Sequence, residues 1–257
     1  MNLKFQITNS LASIQFMRKE KANSLSRALM NEFHDIVLKA KDNQEIRCLT
    51  ISGEGEKVFS AGADLEERKG MSFEEVLQFL DQFRETLKLL EDFPVPTVAI
   101  LNGSAFGGGL EIALACDIRL MKESALIGLT ETKLGIIPGA GGTQRLSRLV
   151  GPSRAKDLIF RAAKIKSSQA KEYGIVTHVF GEEGFSGQVD AYLGEILSSA
   201  PIALRLAKRA IKEGLELSLE EGLDKERSFY LQTLNTKDRL EALQAFQEKR
   251  PPVFRGE

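Results

Sequence analysis

Histidine and cysteine are nearly missing from this chain, which holds two of each in 257 residues. His34 and His178 lie far apart and there is no Cys-x-x-Cys pair, so the ligand spacing of a zinc site is absent and no metal is expected. Cys48 and Cys116 each sit inside an apolar run, which reads as two buried thiols in a reducing compartment rather than a disulfide. An excess of charge is missing as well: 35 basic against 36 acidic side chains leave a net charge of -1. Such a chain projects no long-range field toward nucleic acid or an anionic membrane. No apolar run approaches the roughly 18 residues that a membrane span requires. Leu3-Lys4-Phe5-Gln6-Ile7-Thr8 already alternates as a half-buried strand does, leaving no room ahead of it for a signal or transit peptide. The expectation is a cytoplasmic protein, although an organellar one would read the same after cleavage.

What is present suffices for a sizeable core, with 42% hydrophobic and 28% charged residues. Ala12 to Phe16 continues the alternation of the first strand. Ser24 to Lys41 then has helical periodicity, with Leu25, Leu29, Phe33, Ile36 and Val37 on one face. Cys48 to Ile51 predicts a short strand. Ser72 and Glu75 form a capping box ahead of a helix that Pro94 and Pro96 stop. Thr97 to Leu101 predicts a buried strand, Glu111 to Ala115 a helix, and Asp117 to Met121 the next strand. This alternation continues to about residue 180 and argues an α/β fold. Beyond it the pattern turns helical over 188–199, 202–217 and 238–249, with a second capping box at Ser218 and Glu221. The organisation read from this is an α/β core over residues 1–195 and a helical section over 196–257, with no linker or low-complexity segment between them.

Three stretches could carry chemistry. In Phe59-Ser60-Ala61-Gly62-Ala63-Asp64-Leu65, small residues following a strand let a ligand approach the main chain, and a tight connection would use the same residues. Gly107-Gly108-Gly109 opens a helix, where bare N–H groups and the dipole favour negative charge; close strand–helix packing is the other reading. Gly139-Ala140-Gly141-Gly142-Thr143-Gln144 lacks the last glycine of a dinucleotide fingerprint, and no glycine loop ends in the Lys-Ser/Thr of a P-loop. It reads as a turn into a helix near Thr143. Glu111 falls in the first turn of an otherwise apolar helix, where burial would raise its pKa and the dipole oppose the rise. Glu131 precedes the glycine loop. Helix capping and solvation are the plain readings of the two glutamates. Paired as acid and base beside bare amides, they could instead work on a carbonyl compound.

Taken together, these segments resemble the crotonase (enoyl-CoA hydratase/isomerase) superfamily across essentially the whole chain. The resemblance is strongest in Phe59–Asp64, Asn102–Asp117 and Gly128–Arg145, the last reading GLTETKLGIIPGAGGTQR. It implies a spiral of β-β-α units followed by a helical trimerisation region, assembled as a trimer or a hexamer of two trimers. It also implies a lyase of fatty acid metabolism that acts on a 2-enoyl-CoA thioester and needs no cofactor beyond the CoA of its substrate. By position, the amides of Ala63 and Gly108 match the oxyanion hole, and Ala61, Asp64 and Leu65 match the segment lining the CoA channel. Glu111 matches the carboxylate that deprotonates water, and Glu131 the acid that protonates the α-carbon. The isomerases typically keep the second acid and lack the first, so having both favours a hydratase. Dehalogenase-like and hydrolase-like members carry other residue types at these positions.

Asn23-Ser24-Leu25-Ser26, Ala63 to Arg68 and the Thr236 to Pro252 ending resemble the methylglutaconyl-CoA hydratase branch. That branch includes a protein whose lysine-rich first helix binds RNA. The matching helix here has only Lys39 and Lys41 near its end, so no nucleic-acid partner is expected. Phe246 and Lys249 can be read as CoA contacts or as surface and packing residues. A catalytically idle CoA- or RNA-binding relative is the alternative outside enzymes, and retention of Glu111, Glu131 and the glycine triplet argues against it.

Overall fold

A computed structural model describes residues 2–257 of the protein. The chain divides into two units, one holding the residues up to Phe93 with Thr97–Val189, the other Pro94–Pro96 with Asp190–Glu257.

The first unit opens with the hairpin β1 (Leu3–Thr8) and β2 (Leu11–Phe16), followed by helix α1 (Arg27–Ala40). Ser26 caps α1 by accepting from the Leu29 amide, so the helix starts three residues later than its periodicity suggests. Leu29, Met30, Phe33 and Val37 line its buried face. Next come β3 (Cys48–Gly53), β4 (Val58–Ser60), the short α2 (Leu65–Lys69) and the long α3 (Phe73–Glu91). The Ser72–Glu75 capping box that begins α3 is complete in both directions. The same theme repeats with β5 (Thr97–Leu101), β6 (Ser104–Phe106) and α4 (Gly108–Ala115), and again with β7 (Ile118–Lys122), β8 (Leu126–Gly128) and α5 (Gly142–Val150). Helix α6 (Pro152–Phe160), β9 (Ile165–Lys166), α7 (Ser167–Glu172) and β10 (His178–Phe180) complete the unit.

Each repeat contributes its first strand to one sheet and its second to another. The larger sheet runs β1-β2-β3-β5-β7-β10, antiparallel at β1–β2 and parallel from there on. The smaller runs β4-β6-β8-β9. This is the expected spiral of β-β-α units. Between the turns of the spiral, Phe16 meets Phe33 and Phe59 edge-on, with ring centroids 5.8 Å and 5.6 Å away. All three rings are fully buried, each stabilising the fold by roughly 2–3 kcal/mol. Parallel neighbours must all start at the same end of the sheet, so the segments that follow the second strand of each repeat emerge together.

Helix α8 (Phe185–Leu197) leads into the second unit, where α9 (Pro201–Gly214), α10 (Leu219–Thr233) and α11 (Lys237–Glu248) follow. The Ser218–Glu221 capping box begins α10 as its spacing predicts. Leu215, Leu219, Leu223 and Tyr230 are exposed, as is Phe246 on α11 at 84%. Lys249 ends α11 in a left-handed conformation with φ 55°. Among the described residues, no helix is long and apolar enough to cross a membrane.

Candidate active site

A cavity of about 1210 Å³ lies within the first unit, lined by Ala61, Gly62, Ala63 and Leu65, by Gly107, Gly108 and Glu111, and by Thr130 and Glu131. Three consecutive turns of the spiral thus bring together segments more than 60 residues apart. Val76, Phe79, Leu80 and Phe83 of α3 form an apolar wall, continued by Leu134, Ile136 and Ile137. Arg68, Lys133 and Lys164 add positive charge to the lining.

Glu111 sits in the first turn of α4, a helix whose eight residues are all buried. Its Oε1 accepts hydrogen bonds from the amides of Ala140 at 2.9 Å and Gly142 at 2.7 Å. Burial pushes its pKa above the ordinary carboxylate range, while those two amides and the Arg145 guanidinium act against the rise. Two fixed donors on one oxygen leave Oε2 as the atom for a further partner.

Glu131 begins a short 3-10 turn that Gly135 closes with φ 74°. Rather than being solvated, it is 8% exposed. Burial raises its pKa to about 7, and the negative charge of Glu111 adds to the rise against contacts with its own backbone and that of Thr130. Its Oε2 is buried with no hydrogen-bond partner among the described residues. A buried acceptor without a partner costs about 1–3 kcal/mol.

The glycine triplet lets neighbouring groups approach closely, as its packing reading expects. A Cβ at Gly109 would lie 2.6 Å from the Ser60 carbonyl oxygen, so α4 packs directly against β4. At Gly107, with φ 51°, a Cβ would lie 3.3 Å from Glu131 Oε1, so the missing side chain makes room for the carboxyl group. Gly108 is the first residue of α4, where the N–H has no partner inside the helix.

Ala63 pairs with Leu25 in a single parallel bridge. Leu25 N–H donates to the Gly62 carbonyl at 2.8 Å and Asp64 N–H donates to the Leu25 carbonyl at 3.2 Å. Alternation along the extended backbone turns the Ala63 N–H to the opposite side. Neither Ala63 nor Gly108 donates its N–H to an acceptor among the described residues. The two segments touch, since a Cβ on Gly62 would be 3.2 Å from the Gly108 nitrogen.

Asp64 is absent from the cavity lining. Its carboxylate accepts from Arg18 Nη2 at 2.9 Å, Ser24 Oγ at 3.2 Å and the Glu67 amide at 3.4 Å, capping α2. Burial alone would raise its pKa, but the bonds from Arg18, Glu67 and Ser24 outweigh it and hold it low. Ala61 and Leu65 do line the cavity. Sequence reasoning passed over the amides of Ala140 and Gly142 and the side chain of Arg145. The glycine loop was itself the available signal, because bare amides next to a buried acid imply an acceptor.

The enoyl-CoA hydratase/isomerase family model matches residues 6–257. The mitochondrial methylglutaconyl-CoA hydratase of Homo sapiens is 46% identical over 240 residues, covering 91% of this chain and 70% of that protein. The enoyl-CoA isomerase/hydratase fer4 of Mycosarcoma maydis is 43% identical over 248 residues, covering 93% and 90%. A crystal structure of an enoyl-CoA hydratase from Bacillus anthracis superposes with a TM-score of 0.97 at 45% identity, with 100% of both chains covered. The chain belongs to the enoyl-CoA hydratase/isomerase family.

Proposed function

We propose that this protein hydrates a trans-2-enoyl-CoA thioester to the 3-hydroxyacyl-CoA, with Glu111 as base and Glu131 as acid. The observation that carries this reading is the pairing of two buried carboxyl groups that hold different bonds. Glu111 accepts two amide N–H bonds from the Ala140–Gly142 loop on one oxygen, an arrangement that favours its carboxylate form, while at Glu131 burial and the charge of Glu111 outweigh the backbone bonds from Glu131 and Thr130 and raise the pKa to about 7. In the reaction, Glu111 takes a proton from water as the water oxygen bonds to the β-carbon. The C=C electron pair moves toward the thioester, and negative charge grows on its oxygen. The amides of Ala63 and Gly108 stabilise that oxygen, each contributing roughly 3 kcal/mol without reorganising. Glu131 then delivers its proton to the α-carbon, and the two glutamates exchange states before the next turnover.

CoA enters as part of the substrate, and no separate cofactor is invoked. The apolar wall of α3 and Ile136–Ile137 suits an acyl chain. A second reading, favoured by Arg68, Lys133 and Lys164 in the lining, is a carboxylated enoyl thioester of the methylglutaconyl type. Exposed Ile211 of α9 and the exposed leucines of α10 and of the loop before it support self-association as a trimer or hexamer.

Hydration kinetics on short, long, branched and carboxylated 2-enoyl thioesters, with a 3-enoyl thioester alongside, test the reading, and light scattering tests the assembly. Turnover of a 2-enoyl thioester is the expected result. Conversion of the 3-enoyl compound alone would replace hydration with isomerisation.

A further inference from the structure

Arg145 is one turn into α5, behind the loop that holds Glu111. Its Nη1 donates to the carbonyl of Ala140 at 2.9 Å, and its Nη2 pairs with Glu91 at the end of α3, 3.1 Å away. Nε is buried and finds no acceptor among the described residues. Gly141 has φ 105°, and a Cβ there would collide with Nη1, so the loop backbone lies directly against the guanidinium group. The peptide unit that Arg145 grips through its oxygen joins Ala140 to Gly141 and directly follows the unit whose N–H, that of Ala140, donates to Glu111 Oε1. The second donor to that oxygen, Gly142, follows Gly141. A single planar cation therefore holds the peptide unit that lies between the two donor amides.

We propose that Arg145 is a positioning residue for Glu111. It holds the Pro138–Gly142 loop so that two amides converge on one carboxylate oxygen and the other oxygen is left for water. The inference rests on the hydration reading above. Glu91 completes the device by anchoring the guanidinium from α3. The charged groups facing Glu111 are then Glu131 from the 3-10 turn and Arg145 from α5, with Glu91 behind Arg145. Arg145 acts on Glu111 through its charge as well as through geometry, and the two contributions separate experimentally.

The test measures kcat, KM and the pH dependence of kcat for Arg145→Met, Arg145→Lys, Glu91→Gln and Glu111→Gln in the full chain. Arg145→Met should lower kcat by about 30-fold with KM within about twofold, the cost of a misplaced reacting group. Its acid limb should move to higher pH, because Glu111 loses a neighbouring positive charge. Glu91→Gln should move the limb to lower pH, because the guanidinium loses its counter-charge. Arg145→Lys should keep the limb near that of the wild type while kcat still falls, since the charge remains and the two-point grip is lost. A purely structural role would not give opposite shifts for the two partners of one ion pair. Should Arg145→Met fail to fold by circular dichroism, Arg145→Lys and Glu91→Gln decide the matter. A Glu91→Gln limb at or above that of the wild type overturns the inference. Retained turnover in Glu111→Gln would overturn the hydration reading itself. An inactive Glu111→Gln beside unmoved limbs would remove only the role of Arg145.

Discussion

Gly142 donates its N–H to Oε1 of Glu111 at 2.7 Å, and a Cβ at position 142 would stand 2.9 Å from that same oxygen. The bond exists only because the residue has no side chain. Gly142→Ala would also bring its methyl group to 2.9 Å from Pro138 Cβ, so neither neighbour can yield freely. Position 142 is the first residue of α5, where alanine is acceptable to the helix. The overlap should nevertheless cost about 1–3 kcal/mol of stability, while kcat falls by about 10- to 100-fold as the carboxylate turns away. Steady-state kinetics beside thermal melting checks this; wild-type kcat would remove the amide bonds from the account of Glu111.

The rate should depend on pH with an alkaline limb set by Glu131. As the acid of the reaction it must carry its proton, and its pKa is raised to about 7. Activity should fall as pH rises through about 7, opposite to the behaviour of a base with the same pKa. A kcat profile from pH 5 to 9 measures this. A rate still rising above pH 8 would assign the proton donation elsewhere.

The same shift links to stability. The folded-state pKa of Glu131 lies above its unfolded value of 4.5. Its contribution is fully present below pH 4.5 and is lost as pH rises through about 7. Glu131→Gln removes a carboxylate whose burial is unfavourable at high pH. The variant should be more stable than the wild type at pH 8 by roughly 2–3 kcal/mol, with little difference at pH 4.5. Urea unfolding at the two pH values provides the comparison, and equal midpoints at pH 8 would contradict it.

Asp64 should behave as a structural residue next to the amide cradle. Its carboxylate holds Arg18, Ser24 and the first turn of α2, with 7% exposure. Asp64→Ala leaves the Arg18 guanidinium without that partner and the helix without its cap, at a cost of about 3–5 kcal/mol. Denaturant unfolding measures this cost; a loss of substrate affinity at unchanged stability would restore Asp64 as a CoA contact.

Much of the fold was legible where local chemistry decides it. Ser72 with Glu75 and Ser218 with Glu221 mark helix starts because a capping box satisfies orphan amides within four residues. Thr97 to Leu101 reads as a strand because it is buried on both faces. The three-residue strands β4, β6 and β8 are too short to display a period, so Phe59–Ser60 reads as a loop although it belongs to the smaller sheet. Glu111 could be picked out together with its burial, because the helix around it is apolar, but the burial of Glu131 and the bonds of both depend on how successive turns of the spiral stack. The pairing of Arg145 with Glu91 spans 54 positions, and no local pattern encodes it.

The most direct test of the central claim is to incubate a short trans-2-enoyl-CoA with the protein in deuterated water and follow the product by nuclear magnetic resonance. Paired carboxyl groups facing a main-chain cradle should place a hydroxyl on the β-carbon and one deuteron on the α-carbon. Glu131→Gln and Glu111→Gln should each slow product formation by several orders of magnitude while keeping the fold. Wild-type protein that leaves the thioester unchanged, or a Glu131→Gln variant that still delivers the deuteron at a near-wild-type rate, would contradict the account.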